Sequence, residues 1–149
     1  MITLAYFIAI IIVLYIVYKI LAAVGLIKTP AKKREENEEA SAMTMIRTDE
    51  YFDPLYIQKN NLIGQHKSLG ANAGIQYAQD LRAALKGAGT DEEAVFTTFG
   101  KLYNKINVSE VSGRYLVQYN RDLRTDLLND LSASEVTTLM NIINGLPDK

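Results

Sequence analysis

The chain of 149 residues contains no cysteine and no tryptophan, and its only histidine is His66. Without cysteine, disulfides, thiolate metal sites and a cysteine nucleophile are excluded. One histidine gives little support for a histidine-clustered metal site or for a Ser-His-Asp triad within one chain. Since His66 falls among glycines and asparagines, we expect it to be an exposed loop residue.

An excess of charge of either sign is also lacking, because 16 Lys and Arg stand against 17 Asp and Glu. The chain therefore has no basic field of the kind that accompanies nucleic-acid binding, and we expect no nucleic-acid partner. Its length allows one small domain with attachments rather than two full cores.

Charge is absent from the first 18 residues, "MITLAYFIAIIIVLYIVY", after which Lys19 interrupts and apolar residues continue to Ile27. Eighteen helical residues cover about 27 Å, close to the thickness of the hydrocarbon core of a bilayer. The pattern predicts a transmembrane anchor over residues 1–27, with Lys19 reaching the interface. A cleaved signal peptide is the alternative, but the stretch lacks a basic beginning and a small-residue cleavage site.

Positive charges follow this apolar segment, at Lys28, Lys32, Lys33 and Arg34, and none precedes it. The positive-inside rule then predicts that the rest of the chain lies on the cytoplasmic or equivalent inner side. The expected setting is a single-pass protein of a bacterial inner membrane or of the internal membrane of a phage particle, with the lipid bilayer as a partner.

Two connecting segments follow the apolar stretch. Residues 28–43 form a charged linker, expected to be a solvated tether after the helix-breaking Pro30, although its basic half could also touch anionic headgroups. Residues 44–73 contain aromatic residues, including Tyr51 and Phe52, around Asp53-Pro54, which predicts the start of a short helix. We expect these aromatics to pack on the following domain, with ligand recognition as the alternative.

Residues 74–149 show helical spacing of apolar residues throughout, and no strand alternation. Five stripes predict five short helices that form a core without a cofactor: Ile75/Ala78/Leu81/Leu85, Val95/Phe99/Leu102/Ile106, Val111/Tyr115/Tyr119, Leu123/Leu127/Leu131 and Val136/Leu139/Met140/Ile143. The predicted fold class is therefore all-α, with one N-terminal transmembrane helix, a charged linker and a five-helix module.

The predicted helix boundaries have their own signals. Thr90 with Glu93, and Ser132 with Glu135, fit capping boxes. Asp122 fits an N-cap, and Asn120 fits the left-handed residue that ends a helix. Because Gly87 and Gly89 suit a tight turn before Thr90, the stretch "LKGAGTDEEAV" has a complete structural explanation that requires no ion.

The turn "KGAGTDEEA" and the later stretch "YNRDLRTDLLNDL", with the helix order around them, resemble one annexin repeat over roughly Gly74 to Leu146. Annexins use this turn to bind calcium and, through it, phospholipid. The resemblance implies that calcium is held by backbone carbonyl oxygens of Leu85, Gly87 and Gly89 and by the carboxylate of Asp130. Such hard oxygen ligands are those that calcium prefers. The residues by themselves predict no cofactor.

Annexins usually carry four repeats, whereas this chain has room for one. A lone repeat has an open side that must be covered by residues 44–73, by another copy of the chain or by a different protein. The sequence therefore predicts a protein partner or a homo-oligomer in addition to lipid.

Three functions follow as hypotheses. The first is a membrane-anchored structural or interaction protein that presents the helical module in an assembly such as a membrane-containing phage virion or a bacterial envelope complex. The second is a calcium-dependent phospholipid-binding module. The third is a membrane-tethered cell-wall hydrolase that uses paired carboxylates, for which the available acids are Asp91, Glu92, Glu93, Asp122, Asp126 and Asp130. Because each of these acids has an ordinary place at a helix end or on a solvated face, we predict that the protein is not an enzyme.

Overall fold

A computed structural model describes residues 2–25, 28–87 and 89–149 of the chain. The regular structure of these residues is entirely helical. It comprises a short 3₁₀ helix, Glu50–Phe52, and eight α-helices: α1 (Ile2–Ala23), α2 (Pro30–Thr48), α3 (Tyr56–Lys59), α4 (Ala71–Ala84), α5 (Glu92–Gly100), α6 (Ile106–Tyr119), α7 (Leu123–Asp130) and α8 (Ala133–Asn144). The chain divides into two compact units, Met1–Glu38 and Glu39–Lys149.

The first unit contains α1, the helix for which the predicted fold class expected a membrane span. Among the residues that the structure describes, no helix has both the length and the apolar character needed to cross a membrane. The transmembrane anchor predicted for residues 1–27 is therefore wrong. Lys19 lies inside α1, and the helix ends at Ala23 because the chain turns at Gly25, whose φ is 76°. Met1, Leu26 and Ile27, which the prediction included, lie outside the described residues.

The charged stretch after α1 is helical rather than an irregular tether. Pro30, expected to break a helix, is instead the first residue of α2, where its missing N–H costs nothing. The hydroxyl of Thr29 accepts from the Lys32 N–H at 3.3 Å at this helix start. Side chains further along form exposed ion pairs, such as Arg34 with Glu38 at 3.1 Å. Exposed pairs of this kind contribute less than about 1 kcal/mol each, so the helix is not held mainly by them.

The second unit has a single apolar core to which the connecting segment contributes. Ala42 and Ile46 from the end of α2, and Phe52 from the 3₁₀ helix, are buried together with the apolar stripes of α4 to α8. The Phe52 ring lies 6.0 Å from the ring of Phe99, centroid to centroid. The expectation that aromatics of this segment pack on the helical domain is confirmed for Phe52.

Helices α4 to α8 correspond to the five short helices predicted from periodicity. Three of the predicted boundary signals are confirmed. Asp122 caps α7 by accepting from the Thr125 N–H, Ser132 and Glu135 form a complete capping box at α8, and Asn120 ends α6 with a φ of 51°. The fourth signal, at the start of α5, takes a different form that bears on the candidate site.

Candidate functional site

The turn between α4 and α5 carries three of the residues implied as calcium ligands. Leu85 ends α4 with a buried side chain, and Gly87 and Gly89 follow it with φ values of 134° and 109°. Side chains rarely adopt such φ values, so glycine is required at both positions. The Asp91 N–H donates to the Ala84 carbonyl at 3.0 Å and closes the turn. Ala88 lies outside the described residues.

The two residues after the turn differ from the predicted capping box. Asp91, and not Thr90, is the N-cap of α5, because its side chain accepts from the Ala94 N–H at 2.9 Å. The Thr90 hydroxyl points elsewhere and donates to the backbone carbonyl of Asp130 at 3.1 Å. The cap moves by one residue because aspartate is also a favourable N-cap residue, and the Thr90 hydroxyl is engaged with Asp130 instead.

The fourth implied ligand, Asp130, is the last residue of α7 and is exposed. The Thr90–Asp130 hydrogen bond joins the turn to the end of α7 across 40 residues of sequence. This hydrogen bond brings the end of the turn next to the end of α7; Gly87, Gly89 and Asp130 are exposed, whereas Leu85 is buried. Which of their oxygen atoms would contact an ion stays a prediction.

The donor set fits calcium better than other metals. Three backbone carbonyls and one carboxylate are hard oxygen ligands, and calcium accepts such ligands at flexible geometry with the remaining positions filled by water or phosphate. The described part of the chain contains no group of three or more His, Cys, Asp or Glu side chains that could hold a metal ion. An ion at this turn would therefore depend on backbone oxygens and on Asp130.

Asp126 is the one buried carboxylate among the acids considered for catalysis. It accepts from the Tyr115 hydroxyl at 2.7 Å and from Nε of Arg121 at 2.7 Å, and Arg82 lies 3.6 Å away. Burial favours the neutral acid, but the Arg121 and Tyr115 hydrogen bonds outweigh it and the pKa of Asp126 is lowered. Burial, together with the bond to Asp126, raises the pKa of Tyr115 to about 12. The Asp126 side chain is therefore an ionised carboxylate whose oxygens accept hydrogen bonds from Tyr115 and Arg121.

His66, expected to be an exposed loop residue, instead has a buried side chain, of which 4% is accessible. Its Nε2 lies 2.8 Å from Oε1 of Glu110, and its Nδ1 lies 3.0 Å from the Leu62 carbonyl oxygen. The second carboxylate oxygen of Glu110 accepts from the Leu69 N–H at 2.9 Å. The segment around His66 is thereby fastened to α6. Local sequence pattern could not have revealed this, because His66 and Glu110 are 44 residues apart.

Two asparagines strengthen the same attachment. The side-chain amides of Asn104 and Asn107 both donate to the Lys67 carbonyl, at 3.1 and 2.9 Å. Both asparagines are buried and cannot bond to water, so the hydrogen bonds to Lys67 satisfy their amide groups. The segment preceding α4 is therefore an ordered part of the second unit, held in place by hydrogen bonds to Asn104, Asn107 and Glu110.

Comparison with known proteins supports the annexin-like character of part of the chain. The annexin family model matches residues 76–142. Annexin A1 of Equus caballus is 34% identical over 68 residues, which make up 46% of this chain and 19% of that protein. Annexin A6 of Gallus gallus is 41% identical over 69 residues, 46% of this chain and 10% of that protein. No solved structure matches the chain. Residues 76–142 thus form an annexin-like repeat, and the chain spans no more than about a fifth of the relatives that it matches.

Proposed function

We propose that the annexin-like repeat is a calcium-responsive module that contacts anionic phospholipid through the 85–89 turn and Asp130. The observation that carries the proposal is the hydrogen bond from Thr90 to the Asp130 carbonyl, which joins the glycine turn to the end of α7. The family match over residues 76–142 supports it, because the implied ligands lie within that range.

The roles of the residues follow from their positions. The positive φ values of Gly87 and Gly89 allow backbone carbonyls in the turn to face outward. Asp130 contributes the one negative charge of the donor set, so its loss would weaken cation binding most strongly. Bound calcium would supply positive charge for lipid phosphate oxygens. Because Gly87, Gly89 and Asp130 are exposed, a membrane surface can reach them.

The test is calcium titration of the full chain by calorimetry, with sedimentation on vesicles of phosphatidylserine and phosphatidylcholine in calcium or in EGTA. Asp130→Ala should raise the calcium Kd at least tenfold and abolish the calcium-dependent part of sedimentation. Asp148→Ala is the matched control, since it removes an exposed carboxylate distant in sequence from the turn. Absence of calcium binding, or equal loss in both variants, would overturn the proposal.

A structural or interaction role is the second candidate, and exposed apolar side chains in the second unit favour it. Ile63 is 74% exposed and Met45 is 40% exposed. A second copy of the chain or another protein could cover such surface in a membrane-associated assembly of a phage particle or a bacterial envelope. Calcium-independent self-association of the full chain in sedimentation velocity, reduced by Ile63→Asp, would support this role.

We propose no catalytic role for the candidate acids. Asp91 and Asp122 are occupied as helix caps, and Asp126 is held ionised by Arg121. An acid-base pair for hydrolysis needs one carboxyl group that is protonated near neutral pH. Turnover of cell-wall polymer by the purified chain, lost in Asp126→Asn, would contradict this proposal.

A further inference from the structure

The groove along α6 is a second candidate site in the helical unit, and it shares no residue with the 85–89 turn. Its volume is about 450 Å³, and it lies between residues 54–58, the beginning of α4 and one side of α6. Pockets that hold small organic ligands have volumes of about 300–1,000 Å³. The groove is therefore large enough for a small ligand.

One side of α6 forms the floor of the groove. Ser109, Gly113 and Val117 are spaced four residues apart and line it together. Between Ser109 and Val117 the helix rises about 12 Å. At Gly113 an added Cβ would lie 3.6 Å from the Pro54 carbonyl oxygen, an ordinary contact distance, so Pro54 packs close to this part of the floor.

The rim of the groove exposes apolar side chains to water. Val117 is 83% exposed, Leu55 is 54% exposed and Leu116 is 40% exposed. Leu116 and Val117 follow one another on α6, and Leu55 belongs to the 54–58 segment that also lines the groove. An apolar ligand in contact with these three side chains would remove part of their surface from water, which favours its binding.

The charged groups that line the groove are one cation, Arg114, and one acid, Glu110. Arg114 is the only cation among the lining residues, and among the described residues it forms no ion pair. Its side chain lies against α4, where an added Cβ on Gly74 would be 3.4 Å from Cγ of Arg114. The one acid of the lining, Glu110, is already bound by His66 and the Leu69 N–H. Arg114 is therefore available to an anionic group.

We propose that this groove binds a single-chain anionic amphiphile, an alkyl carboxylate or alkyl phosphate, with its head at Arg114 and its chain between Leu55 and Val117. A carboxylate or phosphate can form two parallel hydrogen bonds with a guanidinium. A floor of about 12 Å offers a docking protein helix only about two turns, which is why we assign a small ligand rather than a polypeptide. The proposal does not depend on calcium binding.

The experiment titrates decanoate and decyl phosphate, in EGTA, into the full chain labelled with ¹⁵N. Decanol and inorganic phosphate are the probes that carry only the chain or only the charge. The amide signals of Gly74 and Gly113 report on the groove itself, which separates this site from adsorption on other apolar surface. Both amphiphiles should shift these signals in a saturable manner, whereas decanol and phosphate should bind at least tenfold more weakly.

Two arginine variants decide the assignment. Arg114→Gln should weaken decanoate binding about tenfold, which corresponds to about 1.4 kcal/mol. Arg47→Gln is the matched control, because Arg47 is exposed and does not line the groove, and it should bind as the unmodified chain does. Val117→Thr keeps the shape of the side chain but replaces a methyl group with a hydroxyl. It should weaken the binding of decanoate and leave the weak binding of inorganic phosphate unchanged.

Three results would overturn the proposal. The first is no saturable shift at Gly74 and Gly113 with either amphiphile. The second is equal weakening by Arg114→Gln and Arg47→Gln, which would show non-specific charge attraction. The third is binding of an acidic amphipathic peptide in the groove without binding of decanoate, which would assign the site to a protein partner. Since EGTA is present throughout, failure here leaves the calcium proposal untouched.

Discussion

Asp126 shows how one side chain can decide the stability of the repeat. Its carboxylate is buried and joins Tyr115 on α6 to Arg121 in the α6–α7 connection. A carboxylate that loses these donors would be a buried charge without a partner, and such groups are strongly destabilising. The same donors hold its pKa below the ordinary value.

Asp126→Asn should therefore lower the free energy of unfolding at neutral pH by about 2 kcal/mol, since the charge-assisted hydrogen bonds are lost while the shape is kept. The lowered pKa also predicts pH dependence. The stabilisation by the ionised group is present above its unfolded pKa of about 3.9 and is lost as pH falls through the lower folded value. Urea unfolding at about pH 7 and about pH 3 should show a larger acid loss in the unmodified chain than in the variant.

Asp148→Asn is the control, because this carboxylate is 76% exposed and its pair with Lys105 lies at the surface. We expect it to change the neutral-pH stability by less than about 0.5 kcal/mol. If Asp126→Asn and the unmodified chain lost the same stability on acidification, the ionised cluster would not be the source of the pH dependence.

The start of α5 is an element whose two polar residues have separate tasks. Asp91 satisfies the Ala94 N–H of the first turn, whereas Thr90 connects the turn to α7 through the Asp130 carbonyl. The sequence alone assigned the cap to Thr90, and the structure reverses that assignment. The two residues can therefore be distinguished by substitution.

Asp91→Ala should destabilise the chain by about 1 kcal/mol, because an unsatisfied N–H is left at a helix start. Thr90→Val should cost less, since the carbonyl it releases is on the surface, but it should weaken calcium binding if the turn needs its attachment to α7. Thermal unfolding and calorimetric calcium titration on both variants would measure these effects. A larger loss of stability in Thr90→Val would return the capping role to Thr90.

Periodicity and capping signals were sufficient for the elements whose stability is local. The capping box at Ser132 and the left-handed Asn120 are found as predicted, and so are the five helices. One stripe was drawn too long, because Ile106, assigned to the helix of Val95 and Phe99, is the first residue of α6.

The buried position of His66 depends on a partner 44 residues away, and periodicity carries no information about such pairs. The end of α1 at Ala23 depends on the turn at Gly25, which the apolar run concealed.

The two candidate sites also differ in whether the sequence could predict them. The resemblance identified Leu85, Gly87, Gly89 and Asp130, and in the structure the Thr90 hydroxyl joins the end of the turn to the Asp130 carbonyl, while Leu85 is buried. The groove at Arg114 was not predicted. Its walls come from Leu55 and Val117, which lie 62 positions apart in the sequence and carry no motif. Only the packing of residues 54–58 beside α6 creates it.

At the scale of the whole molecule, the annexin-like match begins at residue 76, but the folded unit begins at Glu39. The connecting segment supplies Ile46 and Phe52 to the core, and the guanidinium of Arg124 on α7 donates to the carbonyls of Arg47 and Asp49 at 2.8 and 2.7 Å. The Ser109 hydroxyl donates to the Asp53 carbonyl at 2.7 Å. The annexin-like repeat thus packs against the segment that precedes it in the chain.

Phe52→Ala should therefore unfold or strongly destabilise the repeat, although Phe52 lies 24 residues before the matched range. Its ring is 1% exposed and packs against Phe99, and removal of a buried phenylalanine costs about 3–5 kcal/mol. Chemical denaturation followed by far-UV circular dichroism measures the loss. Leu55→Ala is the control, because Leu55 is 54% exposed and belongs to the same segment, and we expect a cost below about 1 kcal/mol.

A comparison of two fragments tests the contribution of the connecting segment to stability without leaving a cavity in the core. Residues 39–149 should unfold in one cooperative transition, whereas residues 71–149 should show weak protection and no sharp transition, since the surface that contacts Ile46 and Phe52 would be exposed to water. If the shorter fragment folded as stably as the longer one, the annexin-like repeat would be self-sufficient. The connecting segment would then be an attachment to a finished domain rather than the part that completes it.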